Sequence, residues 1–157
     1  MRNLTLSIAA TLILIFSTSA FLNAQTTATW KGGKPGRTTD WSCAENWKEG
    51  RIPNEFDQVI IPARAAFYPI LNNTVEVVDA LIVEGGATLT LHSNTTLTVL
   101  GDTGRFGGLT VLGIIRNDGI LEVVDAPERN VAQLQQVVGS GRVVNIISDI
   151  ETLASGQ

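Results

Sequence analysis

Aromatic and acidic side chains are concentrated in the segment 30–57 of this sequence of 157 residues. The segment holds all three tryptophans of the chain and several acids, among them Trp30, Trp41, Trp47, Asp40, Glu45, Glu49 and Asp57. Exposed indole rings can stack on sugar rings, and carboxylates accept hydrogen bonds from sugar hydroxyls. The residue types therefore indicate a carbohydrate-binding platform on the tryptophans, with Asp40 and Asp57 beside it.

The same acids could also act as an acid and base pair in glycoside hydrolysis, which needs two carboxyl groups at a defined separation. Nothing in the sequence fixes such a separation, and acids in loops are usually solvated or cap turns. Calcium could bind to these oxygens, but the D-x-D-x-D-G spacing of a specific calcium loop is absent. We therefore predict no catalytic residues, no metal ligands and no cofactor.

Three further features of the sequence give little indication of a catalytic or metal-binding site. His92 is the only histidine, and the alternation around it directs its side chain outward, so it supports neither a catalytic triad nor a zinc site. Cys43 is the only cysteine, which excludes an internal disulfide; we predict that it is buried, with pairing to another chain as the alternative. The glycine-rich segment 101–108 lacks the lysine of a phosphate-binding loop and indicates a long loop that could contact a ligand.

Composition and charge restrict the class of protein. There are 11 basic and 15 acidic residues, which gives a net charge of −4 without any basic run. This balance argues against nucleic-acid partners and against an anionic membrane surface. The apolar content of 44% excludes a wholly disordered chain.

The first 24 residues have the pattern of a secretory signal peptide. Arg2 supplies the positive charge, an apolar stretch covers 4–16, and small residues precede a cut after Ala24, with Ala20 as second choice. The apolar stretch is short for a membrane span, and an uncleaved anchor is the alternative. We expect a secreted or cell-surface protein with no membrane span in the mature chain.

The mature chain divides into two regions that differ in composition and residue pattern. The segment 25–58 is rich in tryptophan, glycine and proline and predicts ordered loop around one short strand, 26–30. From Val59 onward, short strands alternate aliphatic residues with threonine, as in 88–91, 96–99, 109–111 and 121–123. The final segment 149–157 predicts a frayed tail or a small lid.

A longer period is superimposed on the alternation. The pairs Val75/Val77, Leu97/Val99, Leu121/Val123 and Val144/Ile146 follow one another at 22, 24 and 23 residues. Corner residues recur with them, namely Asn72, Asn94, Asn117 and Gly139. Asparagine and glycine tolerate the left-handed backbone of a sharp corner. Short strands at such a period predict a parallel β-solenoid of roughly four coils over 59–148. An antiparallel sandwich is the alternative.

A solenoid changes the interpretation of the tryptophans. Its open end exposes apolar core and unpaired strand edges, which must be covered. Large aromatic residues placed just before the first coil suit that purpose. We therefore favour a tryptophan-rich cap over a sugar platform for Trp30, Trp41 and Trp47.

Part of the sequence resembles a known kind of module. The motifs are Thr39-Asp40-Trp41, Glu45-Asn46-Trp47, Gly50-Arg51-Ile52-Pro53 and Asp57-Gln58-Val59-Ile60-Ile61-Pro62. They resemble the N-terminal module of secreted or cell-surface proteins of Bacteroidota-type bacteria, and also the extracellular domain named for its eight glycines. The resemblance covers about 30–124. It implies an exported, right-handed β-helix of the pectin-lyase-like kind, often in adhesion-like or polysaccharide-related proteins, without a defined active site.

The expectation is an all-β protein, a short right-handed parallel β-solenoid with a tryptophan-rich N-terminal cap. We expect an exported structural or interaction module that is not an enzyme. Its partners would be a glycan or another cell-surface protein, or a second copy at the C-terminal solenoid edge. A carbohydrate-binding module is the first alternative, and the remnant of a β-helical polysaccharide-degrading enzyme is the second.

Overall fold

The structure, a computed structural model, describes residues 26–101, 108–124 and 133–146. The predicted signal peptide, most of the glycine-rich loop 101–108 and the tail 149–157 lie outside the described residues. Within them the fold is almost entirely β-structure, and the only helices are two short 3-10 helices, Ala44–Asn46 and Gln133–Gln136. No helix in these ranges is long and apolar enough to cross a membrane.

In the described residues, twelve strands form three parallel sheets, each with four strands. The first sheet contains β1 (Thr26–Thr29), β2 (Asp57–Ile61), β5 (Ala80–Val83) and β8 (Leu109–Val111). The second contains β3 (Ile70–Leu71), β6 (Thr88–Leu91), β9 (Ile114–Asn117) and β11 (Val137–Val138). The third contains β4 (Val75–Val78), β7 (Thr96–Val99), β10 (Ile120–Val124) and β12 (Arg142–Ile146).

This strand order is that of a β-solenoid. The chain visits the three sheets in turn, so β2–β4, β5–β7 and β8–β10 make three complete coils, and β11 and β12 contribute to a fourth. Every strand pair is parallel, which excludes the antiparallel sandwich. The predicted solenoid is confirmed, although the described part of the fourth coil has strands in only two sheets.

Alternation along each strand builds the core. In β6 and β7 every second residue is buried, and the threonines between them are only partly buried. Equivalent residues of successive coils stack directly, as Leu97 does with Leu121 and Val99 with Val123. Aliphatic side chains consequently form continuous columns inside the coils.

The register of the first and last coils differs from the prediction by one residue. Leu97 stacks on Glu76 rather than Val75, and Val99 stacks on Val78. Val75 accordingly points away from the core and is 74% exposed. In the last coil Val143, rather than Val144, stacks on Leu121. A shift of one residue turns every side chain of a strand to the other face.

The corners account for part of this shift. Asn94 has the expected positive φ of 64°, but in the coil before it the residue with positive φ is Asn73 (51°) rather than Asn72. The inward residues follow each of these corners at the same distance, so corner and strand shift together. Asn117 is not a left-handed corner: its buried amide accepts a hydrogen bond from the Gly119 N–H and donates one to the Arg142 carbonyl.

Candidate functional site

The three tryptophans form one packed cluster, which we call the tryptophan lid. Trp47 lies between the other two: its ring centroid is 5.0 Å from that of Trp30 and 4.7 Å from that of Trp41, with interplanar angles of 81° and 83°. The side chains are 0–1% exposed. Edge-to-face packing of this kind suits the charge distribution of aromatic rings.

Hydrogen bonds fix the indoles of the lid in place. Trp30 Nε1 donates to the Phe67 carbonyl at 2.7 Å, and Trp47 Nε1 donates to the Trp41 carbonyl at 2.8 Å. Trp41 Nε1 is buried without a partner among the described residues. Because the three indoles are almost completely buried, they are closed to a sugar ring in this conformation.

The loop around the lid also covers the first strand edge. The Lys48 N–H donates to the Thr29 carbonyl at 2.9 Å, and the Thr29 N–H donates to Glu49 Oε2 at 2.8 Å. Buried Asn46 ties the loop together by donating to the carbonyls of Arg37 and Asp40. The N-terminal end of the solenoid therefore has its core covered by the lid and part of its edge bonded to the loop.

Asp57 lies apart from the tryptophan lid, where its buried carboxylate pairs with the partly exposed side chain of Arg51. Its side chain is fully buried and contacts the guanidinium of Arg51, with Arg51 Nη2 at 2.6 Å from Oδ1. Thr26 Oγ1 and the Asn54 N–H donate to the same carboxylate. These contacts join the strand β1, the loop 51–56 and the start of β2. The geometry assigns Asp57 a structural part, because every oxygen is already bonded within the protein.

The environment of Asp57 makes folding sensitive to acid. Burial alone would raise the pKa of Asp57, but hydrogen bonds from Arg51, Thr26 and Asn54, with the charge of Arg51, lower the pKa below its ordinary value. A pKa lowered by folding gives stability that is complete above the unfolded value of roughly 3.9 and is lost as the pH falls through the folded pKa.

We expect the free energy of unfolding to fall as the pH is lowered from about 5 to about 2, and Asp57→Asn to reduce this dependence, because asparagine does not titrate. Denaturant unfolding at several pH values measures the effect. The control is Glu55→Gln, which removes an exposed acid of the same loop. Equal pH dependence in the wild type and Asp57→Asn would contradict the assignment.

Asp40 is fixed on the outer face of the second sheet. Its Oδ2 accepts from Arg37 Nε at 2.8 Å, and its Oδ1 accepts from the Ser42 N–H at 2.9 Å. A parallel bridge between Asp40 and Ile70 aligns this loop with β3 as an additional rung. Below it opens a cleft of about 370 Å³ lined by Thr39, Asp40, Ile70, Asn72 and His92.

A column of polar residues continues from the cleft along the solenoid axis. The residues that follow β3, β6 and β9 are Asn72, His92 and Asp118, which are stacked in register and exposed. Ser140 follows in the last coil and donates to Asp118 Oδ1 from both its N–H and its hydroxyl, at 3.1 and 2.8 Å. We call Asp40, Asn72, His92, Asp118 and Ser140 the polar strip.

Sequence reasoning placed His92 outward and Asp40 near a ligand, but it did not bring them together. The structure does so because one coil separates Asn72 from His92 and another separates His92 from Asp118. The repeat length was the signal that could have found the strip. Cys43 is buried, as predicted.

The strip does not have the geometry of familiar catalytic groups. In a serine triad the histidine takes the proton of the serine, whereas here Ser140 donates to Asp118 and not to His92. Along the axis alone Asp40 and Asp118 are three strand spacings apart, about 14 Å, which already exceeds the roughly 6.5–9.5 Å of a hydrolytic carboxylate pair. The hydrogen bonds that the N–H and the hydroxyl of Ser140 donate lower the pKa of Asp118, which keeps this carboxylate an acceptor.

The opposite end of the solenoid differs from the lid. In the part of the chain that the structure describes, β12 is the outermost strand of its sheet. Val143 occupies the inward position below Leu121, yet it is 41% exposed while Leu121 is 0% exposed. An inward apolar column therefore ends at the surface here.

Comparison with known proteins gives one match. Residues 29–126 match the model of a family described as a domain of unknown function (DUF8693), and this range includes the tryptophan lid and the three complete coils. No curated protein and no solved structure matches the chain. Since the matched range covers more than half of the sequence, the chain belongs to the family described as domain of unknown function DUF8693.

Proposed function

We propose that the protein is a structural or interaction module of the cell surface or the extracellular space, and that it acts by binding rather than by catalysis. The single observation that supports this most is the contrast between its ends. One end is closed by the tryptophan lid, and the other leaves the inward residue Val143 41% exposed. Export is inferred from the signal-like segment 1–24.

The exposed end is suited to contact with another β-structure. Strands at a sheet edge present main-chain donors and acceptors, and proteins usually guard them with lysine, proline or inward charges. The segment 137–146 has none of these guards, and its only charged residue is Arg142, at the start of β12. The exposed inward residue Val143 adds apolar surface to that edge.

The partner we propose for this end is a second copy of the chain. Head-to-tail stacking would need the N-terminal end as acceptor, but there the lid and its loop occupy the core and bond to β1. Two copies can still meet through their equal C-terminal ends, which gives a closed pair rather than a filament. Arg142 is the one charged residue of the described segment 137–146, so this segment contributes little like-charge repulsion between the copies.

We expect the wild type to form dimers whose fraction rises with concentration, and Val143→Lys to remain monomeric, because an inward charge blocks strand addition. Light scattering coupled to size-exclusion chromatography measures the mass. Val143 is already partly exposed, so the substitution should leave the fold intact, as circular dichroism can verify.

The matched control is Thr110→Lys, which makes the same charge change on the outward face of β8. It should leave the dimer unchanged. A wild type that stays monomeric at every concentration, or a Val143→Lys variant that associates like the wild type, would refute the proposed interface.

Carbohydrate binding is the second candidate function. The tryptophan lid does not favour it, because its indoles are buried. The polar strip does, because it gathers exposed hydrogen-bonding groups around an open cleft.

A further inference from the structure

The polar strip combines two kinds of hydrogen-bonding group. Asp40 and Asp118 are carboxylates whose orientation is fixed, the first by Arg37 and the Ser42 N–H, the second by Ser140. Each carboxylate oxygen has two lone pairs, so these bonds leave acceptor capacity directed to solvent. Groups held in place before binding lose little entropy when a ligand arrives.

Between the two carboxylates lie two side chains whose hydrogen-bonding groups are free to contact a ligand. Asn72 and His92 are exposed, and neither side chain is hydrogen-bonded to any described residue. An amide offers two donors and an acceptor, and an imidazole offers donors and acceptors according to its protonation. Partly buried Ile70 adds an apolar contact within the cleft. A ligand that alternates hydroxyl groups with C–H surface matches this set.

The charge balance around the polar strip restricts the class of ligand that can bind there. The carboxylates of Asp40 and Asp118 on this face are balanced by the guanidiniums of Arg37 and Arg116, where Arg116 stacks below Thr90 in the neighbouring column. The surface therefore has no excess of either sign to attract a highly charged molecule. A ligand rich in neutral hydroxyls fits better than a polyanion or a cation.

The dimensions of the strip indicate an extended ligand. Asp40, Asn72, His92, Asp118 and Ser140 belong to five successive rungs, so the strip spans four strand spacings, about 19 Å. The cleft of about 370 Å³ lies at the lid end of this strip, between Asp40 and His92. A ligand that fills the cleft can continue along the axis toward Asp118 and Ser140.

We propose that the polar strip binds a neutral linear oligosaccharide, which lies along the solenoid axis with its lid end in the cleft. Its hydroxyls donate to Asp40 and Asp118 and exchange hydrogen bonds with Asn72 and His92, while one sugar face rests on Ile70. This site is independent of the C-terminal end through which two copies are proposed to associate.

The test is calorimetric titration of the whole protein with neutral hexasaccharides: cellohexaose, xylohexaose, mannohexaose and maltohexaose. We expect at least one of them to bind, and both Asn72→Ala and His92→Ala to weaken that binding by tenfold or more, since each variant removes a central hydrogen-bonding group. Thermal unfolding should be unchanged in both, because the two side chains are exposed and make no bond within the described chain.

The control is Thr110→Ala, which removes a hydroxyl from the outward face of a different sheet and should leave binding unchanged. Tetragalacturonate tests the charge argument, since binding of this anion alone would overturn the assignment to a neutral sugar. Failure of every hexasaccharide to bind, or binding that survives both substitutions, would also overturn the proposal. Neither result depends on the dimer, which is measured separately by mass.

Discussion

Replacing Trp47 by alanine is expected to lower the free energy of unfolding by about 3–5 kcal/mol, the range for large buried aromatic side chains. Trp47 is the central ring of the tryptophan lid and contacts both Trp30 and Trp41 edge to face. Its removal leaves a cavity between the remaining rings and deprives the Trp41 carbonyl of its donor. Small domains are stable by only about 5–15 kcal/mol, so this loss is a large share of the total.

Denaturant unfolding followed by circular dichroism measures this loss. The control is Phe56→Ala, which removes an aromatic ring of the same region that is 51% exposed. It should change stability by no more than about 1 kcal/mol, as is usual for surface positions. If Trp47→Ala unfolds at the same denaturant concentration as the wild type, the lid does not stabilise the solenoid.

Leu89→Asp is expected to prevent folding. Leu89 is fully buried and stacks on Ile115 in the next coil. The substitution removes apolar contacts worth about 2–5 kcal/mol and places an unpaired carboxylate in the core at a cost of several more. Together these losses reach the whole stability of a domain of this size.

The neighbouring residue provides a matched control for Leu89→Asp. Thr90 points outward on the same strand and stacks on Arg116, so Thr90→Asp introduces the same charge beside a cation. We expect it to fold with a melting temperature close to that of the wild type. Similar melting temperatures for the two aspartate variants would contradict the inward and outward faces of β6.

Local pattern was sufficient to predict the middle of the solenoid. In 88–91 and 96–99 threonine alternates with aliphatic residues, so only one face can be apolar, and both strands have the predicted bounds. The pairing of Leu97 with Leu121 followed from the same pattern and is confirmed.

The pattern failed where a strand had apolar residues on both faces. The sequence Val75-Glu76-Val77-Val78 allows either face to be inward, and the alternation of valine with glutamate favoured the wrong one. The position of the corner determines which face is inward. Because Asn73, rather than Asn72, has positive φ, the strand is shifted by one residue and Val78 is buried. In β12 the adjacent valines 143 and 144 left the same ambiguity.

The candidate site depends on distance in three dimensions and was therefore harder to predict. The sequence identified the tryptophans as a cap and their burial is consistent with it. It also grouped Asp40 with Asp57, because the two are near in sequence. In the structure Asp57 is enclosed by Arg51 and Thr26, whereas Asp40 joins residues from the coils below it. Side-chain partners of this kind follow from coil stacking and not from sequence proximity.

Because the coils stack directly, the number of coils determines the length of the outer face along the axis. One column contains Glu76, Leu97, Leu121 and Val143 in this order, so each step along the axis uses one coil, whatever the length of its corner loops. Duplication of one coil in a gene would extend the outer face by one strand spacing, about 4.8 Å, and leave each neighbouring contact unchanged. The length of the outer face therefore changes in steps of one strand spacing, with the tryptophan lid at one end and the last coil at the other.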